Sequence, residues 1–201
     1  MSAARAVKKR MVEVFVGGIA MFLWSSVAHI ALPLGETGVS TVTHNEDALL
    51  ASLHSSLGDQ HGLYLFPAGG NSTDAAGMQQ YAQKIASGPS GMIVYHPSGA
   101  QALAPGQLVT EFLSETLAGL IVAFLLSQMR SERFGSRLGI TVVLGVFGAL
   151  STNISYWNWY GFPLSYTLAY MSIQIVGFIT AGTVAAAILK RRAPVAEPVH
   201  A

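Results

Sequence analysis

Residues 107–128, "QLVTEFLSETLAGLIVAFLLSQ", form an apolar run of membrane-crossing length that carries two carboxylates, Glu111 and Glu115, one helical turn apart. A helix crosses a bilayer core with about 20 predominantly apolar residues. Three further segments approach that length: residues 11–34, 138–157 and 164–190. Composition points the same way. Of 201 residues, 51% are hydrophobic and 10% charged, where ordinary soluble domains carry about a quarter charged residues. The expected fold is an α-helical integral membrane protein with four transmembrane helices and a small extracytoplasmic α/β insert between helices one and two.

The expected boundaries are a cytoplasmic N-terminus at 1–10, spans at 11–34, 108–129, 138–157 and 164–189, an insert at 35–107, a cytoplasmic loop at 130–137, an outer turn at 158–163 and a cytoplasmic tail at 190–201. The first span also invites a signal-peptide reading, because "RAVKKR" precedes it. Its apolar run is too long for a typical signal-peptide core, and no small-x-small site follows Leu32-Pro33-Leu34, so it reads as a retained anchor.

Lys and Arg orient the chain. Arg5, Lys8, Lys9 and Arg10 precede span one, Arg130, Arg133 and Arg137 separate spans two and three, and Lys190, Arg191 and Arg192 follow span four. Only Lys84 falls on the other side. The positive-inside rule then places both termini in the cytoplasm. Together with the composition, this fits a multi-pass protein of a bacterial inner membrane. The turn "SYWNWYGFPLSY", residues 155–166, fits the opposite interface. Trp157, Trp159 and Tyr160 there read either as an aromatic belt or as a ligand-stacking site.

The insert reads as helix, strand, helix, strand. "NEDALLASLHSSLG" (45–58) has Asn45 as a candidate N-cap, and "STDAAGMQQYAQKIASG" (72–88) has Thr73 or Asp74 near its cap and Gly88 at its end. "GLYLFP" (62–67) and "GMIVYHP" (91–97) are strand candidates. Two strands joined through a helix suggest a parallel pair with a right-handed crossover. Leu49, Leu50, Leu53, Leu63, Leu65, Ile85, Ile93 and Val94 are the expected core. So small a domain buries apolar surface poorly, so it should lean on the membrane helices or on another subunit. "PAGGNST" (67–73) follows a strand candidate but carries no phosphate-binding fingerprint, and reads as a loop.

Several chemistries are disfavoured. The chain has no cysteine, which removes disulfides, thiolate nucleophiles and cysteine-ligated metals. His44, His54, His61 and His96 match no zinc spacing and read as scattered, solvated side chains. With His29 the sole histidine in the spans, bis-His haem lacks a second ligand. No cofactor or metal is expected. The basic residues form short clusters beside apolar segments, which gives no nucleic-acid footprint.

The polar residues within the spans are the candidate site. Glu111 and Glu115 share a helix face, which Ser114 and Gly119 extend. His29 lies near the outer end of span one, with Ser25 one turn below. Asn153 lies near the outer end of span three, and Tyr166, Tyr170 and Gln174 recur every four residues on span four. Carboxylates facing lipid are costly, so both should face the bundle, around an outward-opening polar cavity. Three readings stay open: a structural network, a proton- or cation-coupled translocation site using Glu111, Glu115 and His29, and an intramembrane metal or hydrolytic site. Small-residue stripes (Gly17 and Gly18; Gly145 and Ala149; Gly177, Ala181 and Ala185) permit close helix packing, inside the protein or between subunits. The favoured expectation is a non-catalytic accessory or scaffold protein with an outward partner- or ligand-binding domain. Its partners would be the lipid bilayer and either a second copy or the subunits of a membrane complex. The alternative is a small proton- or cation-coupled transporter.

Overall fold

Apolar runs uninterrupted by proline or helix-ending glycine become long helices in the computed structural model, which describes residues 3–69, 74–131 and 133–190. In chain order the elements are α1 (Ala3–Ser26), α2 (Glu46–Leu57), β1 (Gly62–Phe66), α3 (Ala75–Ser87), β2 (Gly91–Tyr95), α4 (Pro105–Gln128), α5 (Phe134–Tyr160) and α6 (Leu164–Lys190). Three helical stretches, Pro105–Gln128, Phe134–Tyr160 and Leu164–Leu189, are long and apolar enough to cross a membrane. At 1.5 Å per residue they are roughly 36–40 Å long. The chain is thus a helical protein of membrane type. The apolar part of the first helix is the shorter stretch Phe15–Ala31.

Local chemistry sets the helix ends. Pro105 opens α4, where its missing N–H costs nothing, and the Ala104 N–H donates to Gln107 Oε1 at 2.9 Å. The α5 helix begins at Phe134, inside the segment 130–137. Gly161, at φ 70°, ends that helix, and the Phe162 N–H closes back on the Tyr156 carbonyl at 3.3 Å. After Ser26 the first helix widens into a π-helical turn, Val27–Ala31, closed by Leu32 N–H to Val27 O at 3.0 Å. A short 3₁₀ turn, Leu34–Glu36, follows.

The small-residue stripes are internal packing surfaces. Gly17 and Gly18 of α1 lie against Thr116 and Gly119 of α4, and a Cβ on Gly119 would fall 2.6 Å from Gly18 Cα. On α6, Gly177 receives Met21 and Trp24, and Gly182 receives the Thr141 side chain of α5. Gly145 of α5 packs on Ile175 and Phe178. Trp24 Nε1 donates to the Ile173 carbonyl at 2.9 Å, which ties α1 to α6. Val122, Ala123, Leu126, Ala185 and Ala186 form the apolar core where α4 ends and α5 begins.

The described residues fall into two compact units, most of the long helices in one and residues 40–103 with 158–161 in the other. The second unit corrects the parallel pairing expected from the sequence. Its strands are antiparallel, with Gly62 opposite Tyr95, Tyr64 opposite Ile93 and Phe66 opposite Gly91. Segment lengths give the reason. Eight residues, 67–74, precede α3, but only three, 88–90, follow it. The 13-residue α3 is roughly 20 Å long, and β2 starts at Gly91, opposite the Phe66 end of β1. The chain therefore re-enters the sheet at the end it left.

The expected core of this unit also fails to form. Leu63 and Leu65 are each 61% exposed and Val94 67%, and Leu49, Leu50 and Ile85 are exposed as well. The buried residue is Tyr95. A two-stranded sheet has two faces, and α3, none of whose side chains is buried, covers neither. Asn45 does precede α2, but in the left-handed conformation at φ 55° and without a side-chain capping bond. Asp74 does cap α3, accepting the Gly77 N–H at 2.6 Å. The alternative cap Thr73, and the end of "PAGGNST", lie outside the described residues.

Candidate functional site

Ser25, near the C-terminal end of α1, lies at the centre of the polar cluster. Its side chain is 7% exposed and lies within interaction range of the Glu115 carboxyl of α4. The Ser25 carbonyl faces His29 Nδ1 at 2.9 Å. A carbonyl can only accept, so Nδ1 carries the hydrogen of this bond. Glu115 Oε2 is buried and has no hydrogen-bond partner among the described residues. A buried, unsatisfied polar atom of this kind costs about 1–3 kcal/mol. The site therefore holds an unfilled acceptor near the His29 ring.

The widened π turn places His29 for this arrangement; such turns recur at functional sites. Gly35 packs on the His29 ring so closely that any side chain there would strike it. Tyr170 meets the ring edge-on, with centroids 5.9 Å apart, and its hydroxyl donates to the Gly35 carbonyl at 3.4 Å. Tyr170 stacks on Tyr166 at 4.2 Å. Phe162 and Tyr156 continue the series, each step 5.3 Å. Five rings thus run in succession from Tyr156 to His29. The i, i+4 spacing of 162, 166 and 170 was visible in the sequence, but the join to His29 was not.

The seven candidate residues do not form one cluster. Asn153, 7% exposed, donates from Nδ2 to Gln174 Oε1 at 2.8 Å and to the Ala149 carbonyl at 3.0 Å. This closed pair joins α5 to α6. Glu111 is exposed, unlike Glu115, which corrects the expectation that both carboxylates face the bundle. The interior stripe of α4 is Thr116, Gly119, Val122, Ala123 and Leu126, and Glu115 borders it while Glu111 lies a turn nearer the helix start. Ser114 is exposed too, its hydroxyl donating back to the Glu111 carbonyl at 2.9 Å. The polar stripe expected from Ser114 is therefore absent.

Sequence reading treated two other features too simply. Arg137 was a topological marker, yet it is only 6% exposed, on the same α5 stripe as Thr141, Gly145, Ala149 and Asn153. Its Nε and Nη1 have no partner among the described residues. The histidines of the second unit are not all scattered: the rings of His61 and His96 lie 5.3 Å apart. Among the described residues no group of three or more His, Cys, Asp or Glu side chains comes together to hold a metal. A cavity of about 310 Å³ in the second unit is lined by Gly69, Asp74, Tyr81 and Lys84, among others. No protein-family model, curated protein or solved structure matches this chain.

Proposed function

We propose that the chain is a four-span inner-membrane protein, both termini cytoplasmic, that works as a non-catalytic accessory or scaffold through an outward domain at residues 35–107. The observation that carries this reading is the open sheet face. Leu63, Leu65 and Val94 share one face by register and are exposed by 61–67%. Contiguous apolar surface of this kind marks interaction sites on soluble parts of proteins. The fourth span would be α1 with its π turn. Its apolar stretch, Phe15–Ala31, is about 25 Å long, short of the hydrocarbon thickness by an amount that modest local thinning offsets.

A second reading, a small proton- or cation-coupled transporter, is favoured by one specific feature. Glu115, with its unpartnered Oε2, and the His29 imidazole are joined through Ser25. Intramembrane carboxylates and histidines are the usual relay groups of such proteins.

One experiment separates the two readings: native-membrane purification of the wild type, Leu63→Asp/Val94→Asp and Glu115→Gln, scored for co-purifying subunits and for rescue of a deletion strain. The scaffold reading expects the double aspartate variant to lose its partner and Glu115→Gln to keep both partner and rescue. Normal assembly without rescue in Glu115→Gln overturns it in favour of transport. Glu115→Leu damages assembly under either reading, because it leaves Ser25 unpaired.

A further inference from the structure

The antiparallel register brings together two histidines that the sequence keeps 35 residues apart. Gly62 pairs with Tyr95, so the next cross-strand position outward is His61 opposite His96. In an antiparallel pair such residues project from the same face, with Cβ atoms about 4.5–5.5 Å apart. The two rings are 5.3 Å apart between centroids and tilted by 59°, so they do not stack face to face. Two imidazoles bound to one tetrahedral metal at about 2.0–2.1 Å per bond have centroids roughly 5 Å apart. The observed separation thus already suits a shared ion.

The backbone under the pair is held in place. The Tyr95 hydroxyl donates to the Gly58 carbonyl at 3.0 Å, and the Tyr64 hydroxyl donates to the Gln60 carbonyl at 2.9 Å. These bonds fasten the segment leading into His61 from two points. Tyr95, 8% exposed, is also the immediate neighbour of His96, and Pro97 follows it, restricting the backbone there as well. Ligands on a pre-ordered backbone lose little freedom on binding, which favours capture. Both imidazoles are exposed, so an ion has free access.

We propose that His61 and His96 form a binding site for an imidazole-preferring divalent cation, Zn²⁺ or Cu²⁺, clamped across the open end of the two strands. Nitrogen ligands of this type select these ions over Mg²⁺ and Ca²⁺. With two protein ligands, the remaining coordination positions belong to water, so the bound ion is exchangeable and not a closed structural centre. The clamp also joins two strands that are marginal as an isolated pair, and its binding stabilises them by mass action. The proposal is independent of the membrane topology and of the polar cluster around Ser25.

The test uses the full chain in detergent, with no histidine tag. Zn²⁺ is titrated calorimetrically, and Cu²⁺ is followed by electron paramagnetic resonance, which counts coordinated nitrogens. Wild type is expected to bind one ion through two imidazole nitrogens. His61→Gln and His96→Gln should each weaken Zn²⁺ binding at least tenfold and reduce the nitrogen count to one. Glutamine keeps the polarity of these exposed positions, and matching far-ultraviolet circular dichroism checks that the variants fold. His54→Gln should bind within twofold of wild type. Wild-type affinity in both single variants, or a two-nitrogen signal surviving in the His61→Gln/His96→Gln double variant, overturns the proposal.

Discussion

Alanine at Gly119 tests whether the α1–α4 crossing is as close as the structure places it. The added Cβ would lie 2.6 Å from Gly18 Cα and 3.0 Å from the Gly17 carbonyl carbon. Carbon atoms in contact settle at about 3.5–4.0 Å, so the two helices must part by roughly 1 Å. The obstructing atoms are backbone, with no rotamer that can yield, and overpacking of this kind costs about 1–3 kcal/mol. Alanine also carries a helix-propensity gain of up to about 1 kcal/mol over glycine, which masks part of the cost. Gly139→Ala supplies the control. Nothing lies within 4 Å of a Cβ at Gly139, so that variant gains the propensity alone. In the difference between the two variants the propensity cancels and the overpacking remains, about 1–3 kcal/mol. Denaturant titration in detergent, followed by tryptophan fluorescence, measures it through Trp24, which is bonded to α6. Equal stabilities for Gly119→Ala and Gly139→Ala would refute the close crossing.

Two further outcomes follow from particular contacts and charges. Asn153→Leu or Gln174→Leu alone strands the partner amide and should cost about 1–3 kcal/mol, while the double variant should cost clearly less than the sum; strict additivity in a double-mutant cycle would show that the 2.8 Å bond does not couple α5 to α6. For topology, alkaline-phosphatase fusions within residues 40–100 should be active and fusions after Arg130 inactive, because all Lys and Arg except Lys84 fall on one side. An active fusion after Arg130 would reverse the orientation.

The chain alone determined that long apolar helices dominate, because this follows from local rules. An uninterrupted apolar run makes a helix, and Pro105, Asp74 and Gly161 act on the backbone beside them. It likewise marked Gly17, Gly18, Gly145 and Gly177 as close-packing positions, since a missing side chain is a property of the residue itself. Strand direction was beyond it: "GLYLFP" and "GMIVYHP" read the same in either direction, and only the folded unit sets the pair antiparallel. That one decision also brought His61 beside His96 and left Leu63 and Val94 on an open face. The polar cluster divided for a similar reason. Helical spacing gives the angle of each residue on its own helix, but which angle faces a neighbour depends on how the helices roll against one another. Packing at Gly18 and Gly119 turned Glu115 towards Ser25 and left Glu111 outside. The pairing of α5 with α6 gave Asn153 to Gln174, and Arg137 lies buried on the same α5 stripe. Contacts between residues far apart in sequence belong to the assembled bundle, and no single helix carries them.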